Sequence, residues 1–452
     1  MVNDSARKRL KEIFASRVLF GIEERLCYSF DATNVEYLPD CVAFPIDVEE
    51  VIETVALAVE EAIPLIPRCA GSGFAGGAVA VEGGLVLSFE KMHRIERIDR
   101  DALSATVQPG VVTKRLQDEA AGVRLFYPPD PASLSFSMIG GNIGTNAGGP
   151  RGIKYGTTRD YVTDLEVVTP AFGLISTSKK GCGFDLTPLL VGAEGILGVI
   201  VQAKLRLIKA PETTQTILTC FRSMKKAAEV LGVIIEAGII PSAAEFIDKP
   251  TVECAFGKSE AEKDIRDSNV LIIEVDGWKA EVDELSELIV DRCRNGGAHL
   301  VRFARSEKER EEIWSIRRGI SPALANIAPD KINPDVCVPR SRLPEYLSFV
   351  SLLSSRHSLR IFNFGHAGDG NIHTNIMFDG SKEEKRRAAE RALTELFEKS
   401  VELGGTISGE HGVGMVRRKA IRMQVGPKEL RLRKKFKSIF DPRDIMNPAK
   451  GF

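Results

Sequence analysis

The sequence predicts a protein of the α+β class with at least two domains. Its 452 residues exceed what a single hydrophobic core ordinarily organises. In the N-terminal half, short strand and helix signals alternate between glycine-rich stretches. From about Pro211 the glycines become fewer and the strand and helix signals become longer. This change predicts a domain boundary close to residue 210.

Individual elements support this class in both halves. Asp47 with Glu50 forms a capping box that begins an amphipathic helix, and Ser306 with Glu309 forms another. Runs of apolar and β-branched residues predict the strands, and helical spacing of apolar residues predicts a further helix. The strands span residues 63–66, 269–278 and 299–304, and the further helix spans residues 280–295.

The helix after Ser306 carries a candidate substrate-binding pair. Arg317 and Ser321 are four residues apart and therefore share a helix face. Pro322 is expected to end or kink the helix there. Arg318 lies next to Arg317, so either arginine could be a solvated surface residue and the other the functional one.

Composition narrows the class of function. The chain is 43% hydrophobic and 27% charged, as in water-soluble globular proteins, and its net charge of −1 gives no reason to expect nucleic-acid binding. The N-terminus lacks an apolar signal core, and no apolar run approaches the ~20 residues that span a bilayer. The eight cysteines are scattered without a C-x-x-C pair, which argues against a metal cluster of thiolates and fits a reducing cytoplasm. A cytoplasmic location is predicted, with peripheral membrane association through a partner left open.

Three glycine-rich stretches mark the first half. The first, residues 69–77, contains the G-x-G-x-x-G pattern. A Rossmann unit needs a helix directly after these glycines, whereas residues 78–88 are typical of strand and turn. The loop could still bind a diphosphate through consecutive backbone N–H groups, and a tight turn between strands is the alternative. Residues 139–149 and 191–200 are similarly rich in glycine, and three such stretches together suggest an extended cofactor.

Two short motifs near the C-terminus predict a metal site. Residues 365–375 read GHAGDGNIHTN and residues 409–412 read GEHG. A predicted hairpin brings His366, at the end of one strand, close to His373 in the next, because Asp369 and Gly370 form the turn. Together with Glu410 these histidines make a two-histidine, one-carboxylate set that suits a divalent metal and leaves positions open for a substrate. Ordinary turn and strand residues are the alternative interpretation.

Several motifs in one order resemble a known family. They include PRCAGSG at residues 67–73, PPDPAS at 128–133, IGGN at 139–142, TNAGG at 145–149, KYG at 154–156, EGILG at 194–198 and the two metal motifs. The chain resembles the flavin subunit of glycolate oxidase and the FAD-dependent D-lactate and D-2-hydroxyglutarate dehydrogenases, which are vanillyl-alcohol-oxidase-like flavoproteins. The resemblance runs from about Ala43 to the C-terminus, where it ends on Asp441-Pro442 and Asn447-Pro448.

The resemblance implies a fold and a division into domains. The expected fold is a two-part, PCMH-type FAD-binding domain, an α/β, ferredoxin-like substrate cap domain and a C-terminal helical segment. The corresponding boundaries are an N-terminal helical segment over residues 1–35, the FAD domain over 36–210, the cap domain with the metal site over 211–410, and a segment returning to the flavin over 411–452.

The resemblance also implies roles for individual residues. FAD would be bound by Gly71, Ser72, Gly73, Gly76, Gly77, Pro129, Asp130, Gly140, Gly141, Thr145, Asn146, Glu194, Gly195, Gly198, Val199 and Asn447. The metal would be held by His366, His373 and Glu410. His411 would be the catalytic base. The substrate would contact Arg317, Ser321, Lys331 and Asn375, of which Lys331 aligns only across a small gap.

The implied activity is oxidation of a small D-2-hydroxy acid to the 2-oxo acid. Zinc is the expected metal, with manganese or iron as alternatives, and a metal-bound hydroxyl would lose its proton to a nearby histidine near neutral pH. FAD would accept the hydride and is expected to be non-covalent, because the glycine loop has no His or Cys at the place where related flavoproteins attach FAD, and Cys69 is a poor candidate for attachment. An iron–sulfur subunit, an electron-transfer flavoprotein or a quinone-linked partner would accept the electrons.

Other functions stay open at this point. A metal-free FAD oxidase of the same superfamily would not need the two-histidine set, and a flavin-free metal-dependent hydrolase or hydratase would leave the glycine stretches unexplained. A non-catalytic scaffold would not need the base. D-lactate or glycolate is preferred over D-2-hydroxyglutarate as substrate, because a dicarboxylate would require a further cation such as Lys154 or Arg360.

Overall fold

The structure is a computed structural model that describes residues 2–33, 35–256 and 263–452. The chain forms two compact units, and each is built from separate stretches of sequence. The first unit consists of Met1–Gly148, Thr157–Ala210 and Glu410–Phe452, and the second of Gly149–Gly156 and Pro211–Gly409. The chain therefore returns to the first unit after completing the second.

A four-stranded sheet forms one part of the first unit. Its strands, in spatial order, are Val18–Leu19, Cys41–Ala43, Leu85–Ser88 and Leu65–Arg68. The last three run parallel, and parallel neighbours require a crossover connection. The helix Val48–Glu60 connects Cys41–Ala43 to Leu65–Arg68, the two strands that flank Leu85–Ser88, and its N-cap Asp47 accepts a hydrogen bond from the Glu50 N–H.

A five-stranded antiparallel sheet forms the other part. In spatial order its strands are Ile95–Asp99, Ser104–Val107, Val199–Arg206, Val162–Thr169 and Gly173–Ser178. Leu125–Phe126 pairs separately with Ile208–Lys209. The remaining α-helices of this unit are Asp4–Phe14, Ile22–Leu26, Thr113–Gly122, Ile139–Thr145, Thr158–Tyr161, Thr187–Leu190, Ile421–Gln424 and Pro427–Phe440.

The second unit is built around one large sheet. Its strands, in spatial order, are Ala298–Phe303, Thr213–Phe221, Asn269–Gly277, Ala243–Ile247, Arg360–His366, Asn371–Phe378 and Asp330–Ile332, and Asp335–Cys337 also pairs with Asn371–Phe378. Its α-helices are Gly152–Tyr155, Met224–Glu236, Lys249–Phe256, Lys263–Arg266, Lys279–Asn295, Glu307–Ala325, Leu343–His357 and Glu383–Glu402. Every helix within the described ranges is too short or too polar to cross a bilayer.

The predicted α+β class is confirmed, and two local expectations, the capping boxes and the helix end at Pro322, need correction. The Glu50 and Glu309 carboxylates accept from the N–H groups of Ile46 and Arg305, one residue before the N-cap that a capping box would use. Residues 78–88 after the first glycine loop form turn and then the strand Leu85–Ser88, as expected. The helix Glu307–Ala325 continues through Pro322, so this proline does not end it.

The C-terminal tail packs into the first unit through buried polar contacts. The Asn447 side chain donates to the carbonyls of Gly77 and Glu194. Lys450, which is 5% exposed, donates to the carbonyls of Gly77 and Val79 and to the Asn447 side-chain oxygen. Burial lowers the pKa of Lys450 to about 7. The tail therefore holds the first glycine loop in place through the buried Lys450, and burial disfavours the charged form of this lysine.

Lys450 should leave a signature in the pH dependence of stability. Its folded-state pKa of about 7 lies below the ordinary value of 10.5, so between these pH values the unfolded chain binds more protons. The free energy of unfolding of the wild type should therefore rise with pH across this window, relative to Lys450→Met. Urea unfolding at a series of pH values measures the difference, with substitution of the exposed Lys91 as control. Parallel profiles for the wild type and Lys450→Met would contradict the assignment.

Candidate active site and cofactor cleft

A long cleft in the first unit carries most of the predicted FAD residues. Its volume is about 1310 Å³ including its open mouth. All three glycine-rich stretches contribute to its wall. Ten of the predicted FAD residues line it: Gly71, Ser72, Gly73, Gly77, Gly140, Gly141, Thr145, Glu194, Gly195 and Gly198.

The other predicted FAD residues lie next to this wall. Gly76, Asp130, Asn146 and Val199 each adjoin a lining residue in the sequence, and Pro129 is two residues from one. The side chain of the sixth, Asn447, is engaged by the carbonyls of Gly77 and Glu194. Asn447 thus ties two parts of the wall together.

The glycines of the cleft fit an extended cofactor. A Cβ added at Gly73, Gly77 or Gly144 would meet no atom of the described residues within 4 Å, although all three border the cleft. Packing within the protein therefore does not require glycine at these positions, whereas a ligand lying against bare backbone would. Gly140 differs, because its Cβ would lie 2.6 Å from the Cβ of Pro109.

Glu194 organises the start of the C-terminal segment at the edge of the cleft. Its carboxylate accepts hydrogen bonds from the N–H groups of Val413 and Gly414, both at 2.6 Å. Burial raises the pKa of Glu194, against the lowering effect of these two donors. Glu410 and His411, which begin this segment, both line the cleft, and the His411 ring lies 5.0 Å from the ring of Phe74. The predicted base thus borders the predicted flavin site.

The predicted metal-binding histidines belong to the second unit. Arg360–His366 and Asn371–Phe378 form the predicted hairpin, with His373 directly opposite Phe364. Both histidines are buried, and their Nε2 atoms lie 3.4 Å apart. Two nitrogens at about 2.05 Å from a tetrahedral zinc ion would be about 3.3 Å apart. The two rings therefore converge with the spacing of ligands to one metal.

A buried carboxylate lies behind each histidine. Glu245 is the cross-strand partner of His366 and accepts a hydrogen bond from its Nδ1. Asp335 is the cross-strand partner of His373, and its Oδ1 lies 3.4 Å from the Nδ1 of that ring. Because a carboxylate only accepts, Glu245 fixes the proton of His366 on Nδ1, so that Nε2 is the nitrogen that would bind a metal, and Asp335 lies on the same side of the His373 ring. This arrangement fits the metal that the sequence predicts.

Glu245 also holds the predicted carboxylate-binding arginine. The Nε of Arg317 donates to the carboxylate oxygen that His366 does not use. Burial alone would raise the pKa of Glu245, but His366 and Arg317 outweigh burial and lower it to about 2. Arg317 is buried, whereas Arg318 is exposed and pairs with Glu311. Of the two arginines, Arg317 is therefore the one beside the histidines.

The other predicted substrate residues lie at different depths in the second unit. Asn375 is buried; its side chain donates to the carbonyl of His373 and accepts from Asn333. Lys331 lies on the short edge strand Asp330–Ile332 and is exposed, with its pKa lowered by partial burial of the side chain. Ser321 is exposed, although it shares a helix with the buried Arg317.

Sequence reasoning missed Glu245, Asp335 and Lys450. A signal existed for Glu245, because a glutamate within the otherwise apolar strand Ala243–Ile247 is costly to bury without partners. Asp335 begins the short strand Asp335–Cys337 directly after Pro334, and its neighbours in the sequence give no comparable sign that it is buried. Lys450 lies two residues from the C-terminus, where a lysine is ordinarily solvated.

Comparison with known families decides the class of cofactor. The model described as "FAD linked oxidases, C-terminal domain" matches residues 210–451, and the model described as "FAD binding domain" matches residues 39–178. The chain belongs to the FAD-linked oxidases. It is therefore a flavoprotein and an oxidoreductase, and the family resemblance inferred from the motifs is confirmed.

Relatives with assigned names cover nearly the whole chain. The glycolate oxidase subunit GlcD of Bacillus subtilis (strain 168) is 40% identical over 95% of this chain and 92% of its own length. The D-lactate dehydrogenase of Anaerostipes hadrus is 31% identical over 98% and 96%. The D-2-hydroxyglutarate dehydrogenase of Stutzerimonas stutzeri (strain A1501) is 32% identical over 92% and 91%.

A solved structure shows the same fold. Substrate-bound p-cresol methylhydroxylase aligns with a TM-score of 0.81, covering 99% of this chain and 96% of its own, at 15% sequence identity. At this identity the likeness concerns the fold alone. It confirms the predicted PCMH-type architecture, which takes its name from this enzyme.

The open space beside Gly73 gives a direct test of the cleft. Gly73→Leu should fold but lose FAD, because a Cβ at this position meets no atom of the described residues within 4 Å and the rest of the side chain extends from the wall of the cleft that the cofactor would fill. An overpacking cost of about 1–3 kcal/mol corresponds to a loss of about 5- to 150-fold in FAD affinity. Flavin absorbance per protein, with circular dichroism for folding, measures the effect. Gly122→Leu is the matched control, since Gly122 also faces open space but lies at an exposed helix end. Full flavin content in Gly73→Leu would contradict the assignment.

Proposed function

We propose that the protein is an FAD- and divalent-metal-dependent dehydrogenase that oxidises a small D-2-hydroxy acid to the 2-oxo acid. The observation that carries this proposal is the convergence of His366 and His373, each with a carboxylate behind it, beside an arginine that shares one of those carboxylates. A metal ligand set next to a carboxylate-binding group is what a 2-hydroxy acid requires, because its hydroxyl and carboxylate sit on adjacent carbons.

Each residue then has a defined task. When bound, the metal polarises the substrate hydroxyl and FAD accepts the hydride from the neighbouring carbon. Arg317 would bind the substrate carboxylate through its outer nitrogens, because its Nε already donates to Glu245. His411 would take the hydroxyl proton. Glu410 is proposed as the third metal ligand, since a carboxylate completes a two-histidine set that retains an open position.

Cofactor binding and substrate binding are assigned to different sets of residues. We assign FAD to the first unit, whose cleft carries the glycine-rich wall. The second unit would supply the two histidines, Arg317 and Asn375, with Ser321 and Lys331 as further substrate contacts. Zinc is the proposed metal because two imidazoles and a carboxylate suit it, and manganese or iron are the alternatives.

Among the acids named in the relatives, we favour a monocarboxylate such as D-lactate or glycolate. A dicarboxylate would need a second cation besides Arg317. Lys154 is committed elsewhere, since its ammonium donates to the side chain and carbonyl of Asp276. Arg360 is exposed and lies over the ring of Phe362. D-2-hydroxyglutarate is accordingly the less favoured substrate.

Electrons must leave the reduced flavin through another molecule. The Bacillus relative is named as a subunit of glycolate oxidase, which supports a protein partner that accepts electrons. An iron–sulfur subunit, an electron-transfer flavoprotein or a quinone-linked protein would fit. A cytoplasmic protein, with membrane contact through such a partner, is the location we propose.

Two other functions remain to be weighed against this one. A flavin-free hydrolase or hydratase is disfavoured by membership of the FAD-linked oxidases. A metal-free FAD oxidase would leave the paired histidines and their two buried carboxylates without a purpose.

The visible spectrum of the purified protein tests the proposal. During anaerobic addition of D-lactate, the flavin absorbance should bleach, chelation should prevent bleaching, and added zinc or manganese should restore it. Bleaching that survives complete metal removal would favour the metal-free oxidase. If D-lactate, glycolate and D-2-hydroxyglutarate all fail to bleach the flavin absorbance, the proposed substrate class is wrong.

The proposed base can be tested separately. His411→Asn should lower kcat about 10²- to 10⁴-fold, because asparagine cannot take the hydroxyl proton, while FAD content and metal content stay near those of the wild type. Rapid-reaction measurement of flavin reduction gives the rate of the chemical step. His357→Asn is the control, since His357 pairs with Glu395 at the end of its own helix. Wild-type reduction by His411→Asn would remove this residue from the mechanism.

A further inference from the structure

We infer that Glu245 sets the spacing between the substrate's carboxylate and its hydroxyl, and so selects 2-hydroxy acids over 3-hydroxy acids. The inference rests on the function proposed above and assigns a specificity role to a residue that does not itself touch the substrate. Glu245 would be a positioning residue, acting through Arg317 and His366.

The first support is that one carboxylate binds both groups. One oxygen of Glu245 accepts from the Nε of Arg317 and the other from the Nδ1 of His366. Glu245 is fully buried, at 0% exposure, and lies directly opposite His366 in the sheet. A planar carboxylate fixed in a sheet therefore holds the guanidinium and the imidazole at one separation.

The second support is that Arg317 and the histidines are also connected through Phe364. The guanidinium carbon of Arg317 lies 4.5 Å from the centre of the Phe364 ring, and this ring lies 5.5 Å from that of His373. His373 in turn faces His366 across 3.4 Å. Together with the two hydrogen bonds of Glu245, these contacts link Arg317 to the histidine pair along two routes. A shift of Arg317 would therefore disturb the histidine pair.

Substrate selection follows from this rigidity. Arg317 would bind the carboxylate, and a metal on the two histidines would bind the hydroxyl. A 3-hydroxy acid places one more methylene between these groups, so that either its carboxylate or its hydroxyl is misplaced by about 1 Å, which costs about 10²-fold in rate. Loosening the shared carboxylate should relax this discrimination.

The competing interpretation is that Glu245 merely anchors the helix Glu307–Ala325. Glu274 offers a matched control. It is also 0% exposed, lies on the neighbouring strand of the same sheet, and anchors the same helix by accepting from Trp314. Its other partners are Thr216 and Arg151, so it bonds neither the histidines nor Arg317.

The experiment compares Glu245→Gln with Glu274→Gln. A glutamine presents one accepting oxygen and one NH2 group in place of two accepting oxygens, so in the geometry of Glu245 it cannot accept from both Arg317 and the Nδ1 of His366. In Glu245→Gln, zinc affinity of the metal-free protein should fall about 10- to 100-fold. In the zinc-saturated enzyme, KM for D-lactate should rise, and the ratio of kcat/KM for D-lactate to that for D-3-hydroxybutyrate should fall about tenfold or more. Glu274→Gln should leave the zinc affinity and the selectivity ratio within about twofold of the wild type, because Glu274 bonds neither Arg317 nor the histidines.

A second variant keeps the test decisive if glutamine prevents folding. Glu245→Asp retains the charge, but its carboxylate is one methylene closer to the strand and cannot reach both partners. It should also lose selectivity. Wild-type selectivity and zinc affinity in a folded Glu245 variant, or equal losses in Glu274→Gln, would overturn the inference. If the wild type neither binds zinc nor oxidises a 2-hydroxy acid, the proposed function fails instead, and the two failures are thereby distinguished.

Discussion

The cross-strand register of the large sheet is the constraint on which the candidate site depends. It places Glu245 opposite His366 and Asp335 opposite His373, so that each histidine meets a carboxylate on its Nδ1 side. The hairpin turns both Nε2 atoms toward each other. A slip of one residue would turn each of these side chains to the other face. Four side chains from four strands therefore form one chemical unit only in this register.

Burial makes that unit both costly and well defined. Glu245 lies at 0% exposure, where a lone carboxylate would be protonated, yet His366 and Arg317 keep it ionised by lowering its pKa to about 2. Removing either partner would leave buried charge without compensation, which is more damaging than the pair is stabilising. Arg317 is thus held by the same group that orients His366, so the proposed carboxylate-binding group and the proposed metal ligand share one buried charge.

The first unit depends on a different device, the return of the C-terminal segment to the glycine loops. Glu194 accepts from the backbone of Val413 and Gly414, and Asn447 and Lys450 bond carbonyls of the first glycine loop. Bare glycine backbone has little side-chain packing of its own to fix its shape. The side chains that bring order to the cleft therefore come from the far end of the chain, next to the proposed base His411.

The sequence by itself determined the family, the α+β class, and the hairpin that carries His366 and His373, because glycine turns and strand alternation are local patterns that survive without tertiary context. Ten of the sixteen residues that it predicted for FAD line the cleft. Only the tertiary structure decided which arginine is buried and which carboxylates complete the site. Glu245 and His366 are 121 residues apart, and pairing between strands that distant is not written in local periodicity. Only the folded sheet brings a buried glutamate against the guanidinium and the imidazole that hydrogen-bond to its two oxygens.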